Sequence, residues 1–201
     1  MSNFSAIDLS KLPAPDVIET LDFETLLNDY IDDFKSKNPN YLTLLESDPA
    51  IILMQVMAYR ELLLRARINE SAKASMLAYA TGSDLDNLAA FYGVERLEDE
   101  ADDRLKVRAG LALEGFSTAG PAGAYIFHSL SASNEVKSVS VKSPDAGQIL
   151  ITILSNIDNG TASEDLLKIV NDKLNEDDIR PLTDQVTVQG ATIVNYTISI
   201  N

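Results

Sequence analysis

The sequence contains no cysteine and only one histidine, His128. The first absence excludes disulfides and thiolate metal centres. The second leaves an imidazole-based metal site without the further ligands it needs. Neither GxGxxG nor GxxxxGK followed by Ser or Thr occurs, and Gly120 with Gly123 does not replace such a phosphate-binding loop. The start, Met1-Ser2-Asn3-Phe4, lacks the basic residues and apolar run of a secretory signal. No apolar stretch approaches the roughly 18 residues of a membrane span. These absences predict a soluble protein made in a bacterial-type cytoplasm, with no membrane contact and no cofactor.

Basic residues are also scarce, at 16 against 31 acidic ones in 201 residues, for a net charge of -15. Phosphate backbones would meet a negative field, so nucleic acid is excluded as a charge-driven partner. The deficit is uneven. Residues 1–50 carry 10 acidic and 3 basic side chains, residues 98–201 carry 16 and 8, and residues 51–97 carry 5 of each. The neutral middle is also the most apolar part. The negative charge serves solubility, or docking onto basic partners.

Ile7 to Leu12 alternates apolar and polar residues before Pro13 and Pro15, which predicts an extended arm. Its apolar residues Ile7, Leu9 and Leu12 need a surface, either this chain's own or a neighbouring subunit's. A helix follows from Asp22 to Lys37. Asp48 and Pro49 then suit the cap and first turn of a long helix, uninterrupted by Gly or Pro up to Gly82. Apolar residues point all around it: Leu53 with Leu64, Ile51 with Leu62, and Ile52 with Tyr59 and Leu63 mark separate directions. A helix apolar on every side is covered by several neighbours. A domain this small seldom encloses one that long, so another subunit is the expected cover. Ile52, Tyr59, Leu62, Leu63 and Ile68 join the three arm residues as candidate interface positions.

Ser83 to Asp86 resembles a capping box for a short helix ending at Gly93. Ala101, Leu105, Ala109 and Ala112 share a face of the next helix, and another runs to about Ser131. Beyond residue 135 the pattern changes to strands: Val139 and Val141, a turn at Pro144 to Gly147, then Gln148 to Ser155. Thr161 and Glu164 suggest a capping box for a helix with Leu166, Val170 and Leu174 on one side. A second hairpin is expected from Val186 and Val188, a turn at Gln189-Gly190, and Val194, Tyr196, Ile198 and Ile200. The alternation is unfinished at Asn201, which suggests that the domain continues beyond it.

No catalytic constellation emerges. His128 has no nucleophile in a recognisable motif beside it and reads as a structural histidine. The acids at Glu98 to Glu100 with Asp102-Asp103, and at Glu176 to Asp178, lack EF-hand spacing and read as solvated loops. Catalytic and metal-binding residues are therefore expected to be absent.

Several stretches together carry a family resemblance. They include residues 7–19, Tyr59-Arg60-Glu61-Leu62, Arg67 to Ala72, Met76 to Ala80, Gly82 to Asp86, Glu114 to Ser117, Ala119-Gly120 with Gly123 to Tyr125, Asn159-Gly160, Ala162 to Leu167, and Arg180 to Asp184 with Val186 to Val188. In this order the chain resembles the baseplate J-like family of contractile-tailed phages and R-type bacteriocins. The segment from Leu97 to Asp102 is shorter than the loop of several relatives. The resemblance implies a non-enzymatic wedge component of a tail baseplate within a phage or phage-like particle. Its implied partners are other wedge proteins, a second copy in a dimer, and sheath-proximal proteins. The alternatives are a tail-associated hydrolase and an oligomeric adaptor unrelated to tails. The fold class expected is α+β, with an arm over 1–20, a helical domain over 21–115 and a strand-helix domain over 116–201.

Overall fold

A computed structural model describes residues 7–13, 15–40, 45–117 and 119–195. Tyr196, Ile198 and Ile200 of the expected second hairpin lie outside the described residues. The fold is mixed α+β, and contacts divide it into two compact units, Ser10–Ala80 and Met1–Leu9 with Thr81–Asn201.

The first unit is built on α1 (Phe23–Lys37) and α2 (Pro49–Ala74). Both begin as their local sequences dictate. Asp22 accepts from the Thr25 amide at 2.8 Å and Asp48 from the Ala50 amide at 2.9 Å, with Pro49 at the first helical position. The Thr25 amide also holds the Asp22 carboxyl below its usual value. α2 ends at Ala74, short of Gly82. There the Ser75 hydroxyl donates to the Ala72 carbonyl at 2.7 Å, competing for the last turn.

The helices run antiparallel, because partners on α2 fall in number as those before and along α1 rise: Glu19 meets Asn69 and Tyr30 meets Glu61. Leu26, Leu27, Met54 and Ala58 form the core between them. The segment before α1 contains one turn of 3-10 helix, Leu9–Lys11, where extended backbone is the expectation. Prolines at 13 and 15 stop it. Residue 19 is then fastened like a strand, its amide donating to Asn69 Oδ1 and its carbonyl accepting from Asn69 Nδ2.

The second unit contains α3 (Gly82–Phe91), α4 (Asp102–Gly115), α5 (Ala122–Ala132), β1 (Val136–Lys142), β2 (Gln148–Ser155), α6 (Glu164–Leu174) and β3 (Gln185–Gly190). β1 and β2 are the antiparallel hairpin predicted by the Pro144 to Gly147 turn. β3 pairs parallel to β2, with Ile151 opposite Val188. Among the described residues β2, α6 and β3 make a crossover unit, and Gln189-Gly190 is strand rather than the expected turn. A parallel neighbour requires a long connection, and α6 supplies it. Val139, Val141, Ile149, Ile151, Ile153, Val186 and Val188 join one core with Tyr125, Leu130, Leu166, Val170 and Leu174.

Two capping expectations also change. α3 is capped by Thr81, and its free Gly82 amide is satisfied by the distant carboxylate of Asp102 at 3.0 Å. α6 is capped by Ser163, whose hydroxyl accepts from the Leu166 amide, while Thr161 bonds Asn159. At the end of α3, Gly93 at φ +73 permits the reversal, with the Gly93 amide on Ala90 O and the Val94 amide on Ala89 O.

The largest departure from the sequence reading concerns Glu100, whose side chain is fully buried rather than solvated. It bridges Arg104 and Arg108, the latter at 2.5 Å, and accepts from the Leu97 amide at 3.0 Å. Arg104 continues to the carbonyls of Leu130 and Ser133 at 2.6 and 2.7 Å, and Arg108 to Glu95 O at 3.1 Å and the Ser131 hydroxyl at 3.2 Å. Burial depresses the Arg108 guanidinium, and Glu100 opposes that shift. α4 is thereby tied to α5 and the start of β1. By contacts the chain divides after Ala80.

Removing this carboxylate strands two guanidiniums. Glu100→Ala should cost about 3–5 kcal/mol of unfolding free energy, measured by urea denaturation. The exposed neighbour Glu98→Ala should change it by about 0.5 kcal/mol or less. Equal effects would refute the central role of the buried cluster.

Candidate functional site

α2 is 26 residues long and its partner α1 only 15. One short helix covers one side of a long one, and α2 spans roughly 39 Å at 1.5 Å per residue. Ile51, Met54, Ala58 and Asn69 are buried. The opposite side is apolar yet uncovered. Ile52, Val56, Tyr59 and Leu63 form one exposed row with spacings of four, three and four, and Leu53, Met57, Leu64 and Ile68 a second. Leu64 is 66% exposed and Ile68 60%. Isolated exposed leucines are ordinary, whereas a continuous apolar face marks an interaction surface.

Arg60 and Arg67 run between the rows. Arg60 lies three or four residues from Val56, Met57, Leu63 and Leu64, and it has no hydrogen-bond or ion-pair partner among the described residues. Arg67 approaches Glu70 at 3.9 Å, both largely exposed. Arg65 and Glu61 are engaged with each other at 2.7 Å, and Arg65 also bridges Glu19 at 3.2 Å. The Tyr30 hydroxyl, donating to Glu61 at 2.5 Å, holds that carboxyl below its usual value, and Arg65 adds to the effect.

Of the residues nominated from sequence, Ile52, Tyr59, Leu63 and Ile68 are exposed on this side. Leu62 is not: it is half-buried against the α1–α2 core. Ile7 and Leu12 are exposed and Leu9 is half-buried. Leu53, Val56, Met57 and Leu64 belong to the exposed side but escaped nomination. The four-three-four spacing from Ile52 to Leu63 is the signal that could have found Val56.

His128 lines a cleft with Tyr92, Phe116, Lys173 and Asp178. Its Nε2 lies 3.2 Å from the Gly115 carbonyl, and burial holds the imidazole below its ordinary 6.5. No serine, threonine or cysteine lines the cleft among the described residues. Among the described residues no group of three or more His, Cys, Asp or Glu could hold a metal, and no helix is long and apolar enough to cross a membrane.

Because the folded site resists protonation, the unfolded chain takes up a proton first as pH falls through 6.5. Stability should therefore be full above that value and decline below it. Urea midpoints at pH of about 7.5 and about 5.5 should differ more for the native chain than for His128→Asn. On α2, Leu53→Ser and Leu64→Ser should each change stability by about 0.5 kcal/mol or less, whereas Met54→Ala should cost about 2–5 kcal/mol. A large loss at Leu64 would mean that it is internal.

Comparison with known proteins relates this geometry to a family. Residues 46–103 match the baseplate J-like N-terminal domain and residues 117–190 the baseplate J-like central domain. The first match contains all of α2 and runs on through α3 into α4, so it crosses the division at Ala80. The chain is also similar to baseplate protein J of Escherichia phage P2, at 44% identity over 218 aligned positions, covering 96% of this chain and 71% of that protein. With domain matches over more than half its length and that identity nearly end to end, the chain belongs to the baseplate J-like family.

Proposed function

We propose that this protein is a structural component of the baseplate of a contractile tail, acting through protein–protein interfaces within the tail of a phage or phage-like particle. Similarity to baseplate protein J of phage P2 carries the general assignment. The uncovered apolar side of α2 supports the finer one, in which that helix is the assembly surface. Its partners are other wedge components and sheath-proximal proteins, and pairing with a second copy occurs within the wedge.

Rigidity suits α2 to this role. One flank is pinned to α1 and to residue 19, so the exposed rows are presented without ordering a loose segment. That lowers the entropic cost of association. Burying the rows contributes about 25 cal/mol per Å² of apolar surface before those costs.

A non-enzymatic reading accompanies this. Two acids of the cluster from Glu98 to Asp103, Glu100 and Asp102, are committed to Arg104, Arg108 and Arg96. Nothing in these contacts favours hydrolysis.

The test is assembly in the cell. The double variant Leu53→Ser with Leu64→Ser, supplied in place of the native chain, should give soluble protein but few or no complete tails by electron microscopy. Normal tail yield with this variant would overturn the assignment of α2 as the assembly surface. Absence of the native chain from purified tails would overturn the baseplate role itself.

A further inference from the structure

The charges on the exposed side of α2 narrow the choice of occupant. Arg60 and Arg67 stand between the two apolar rows. The single exposed acid of the helix is Glu70, which faces Arg67. A protein of net charge -15 therefore presents locally positive charge on this apolar face.

A second copy of the same face fits poorly. Parallel apposition of α2 with α2 would set Arg60 against Arg60 and Arg67 against Arg67, and antiparallel apposition centred on the rows would still set Arg60 against Arg60, while water is being removed. Unpaired charges in a closing interface are costly. The four-three-four spacing of Ile52, Val56, Tyr59 and Leu63 is instead that of a helix seam, and positions flanking a seam select partners by charge.

We infer that the exposed side of α2 takes an acidic amphipathic helix from a different protein, whose apolar residues meet the Ile52 to Leu63 row and whose carboxylates pair with Arg60 and Arg67. This rests on the reading of α2 as an assembly surface and adds the chemistry of the partner. It assigns the pairing of two copies to some other surface.

Synthetic helices can test it against the full-length chain. One peptide carries leucine at heptad positions a and d with glutamate at e and g. A second replaces each glutamate with lysine, and a third is residues 49–74 of this chain. The whole-protein charge favours the lysine peptide everywhere, so a preference for glutamate can arise only from local positive charge. Fluorescence anisotropy should show the glutamate peptide binding roughly tenfold or more tightly than the other two. The double variant Arg60→Glu with Arg67→Glu should reverse that order without changing the melting temperature, since both side chains are exposed.

Equal or tighter binding of the lysine peptide or of peptide 49–74 overturns the inference while leaving α2 an interface. So does a glutamate preference unaffected by the double variant, since binding would then lie elsewhere. Failure of every peptide to bind overturns the inference too. Coupled with normal tail yield from the Leu53 and Leu64 variant, it also removes the assembly reading beneath it.

Discussion

Glu100 sits with its side chain wholly out of water, between the guanidinium groups of Arg104 and Arg108. Taking three charges from water is expensive, and the cost is offset only if every polar atom finds a partner. The surplus positive charge is absorbed by backbone: Arg104 donates to the carbonyls of Leu130 and Ser133, at the C-terminal end of α5. That end carries the negative pole of the helix and has carbonyls without partners of their own. Charge balance and helix capping are thus met by one set of contacts. Arg96 extends the set by holding Asp86 of α3 and Asp102 of α4, and Asp102 in turn caps α3. Three helices and the start of the sheet take their relative positions from these side chains.

The other unit has a different economy. α1 and α2 share a small core of Leu26, Leu27, Met54 and Ala58, and polar contacts line the rest of the seam. A pair of helices can bury only the facing stripe of each. The length and all-round apolarity of α2 therefore leave a surplus, and the surplus is the surface. Under the proposed reading such a surplus has a use, because a baseplate is made of contacts between chains. The residues that stabilise this helix against α1 and those that face solvent alternate along it, so folding leaves the solvent-facing side chains uncommitted.

Much of this was legible before any coordinates. Asp48 with Pro49 announced α2, and its apolarity in several directions signalled that one partner would not cover it. The choice of Leu62 failed for a simple reason. Helical periodicity says which residues share a face, but not which face another segment will take, and α1 took the one containing Leu62. The acids near Glu100 misled in the opposite sense. A cluster of acidic residues ordinarily belongs to solvent, and the arginines that internalise Glu100 are separated from it by one and two turns of a helix whose placement depends on α5.

Sequence alone determined what depends on neighbours along the chain: helix starts at Asp22 and Asp48, the glycine stop at Gly93, the β1–β2 hairpin through Pro144 to Gly147, and the buried stripe of α6. Each is a contact between residues a few positions apart, decided by side-chain chemistry and backbone preference. Tertiary structure decided what depends on competition between distant groups. Asp102 displaced Ser83 as the partner of the first turn of α3, β3 joined β2 in parallel, and Glu100 went inside. Short-range contacts need little loop closure and are written locally. Long-range ones are chosen by whichever arrangement leaves the fewest charges and amides unpaired, and that can be judged only once the whole core is assembled.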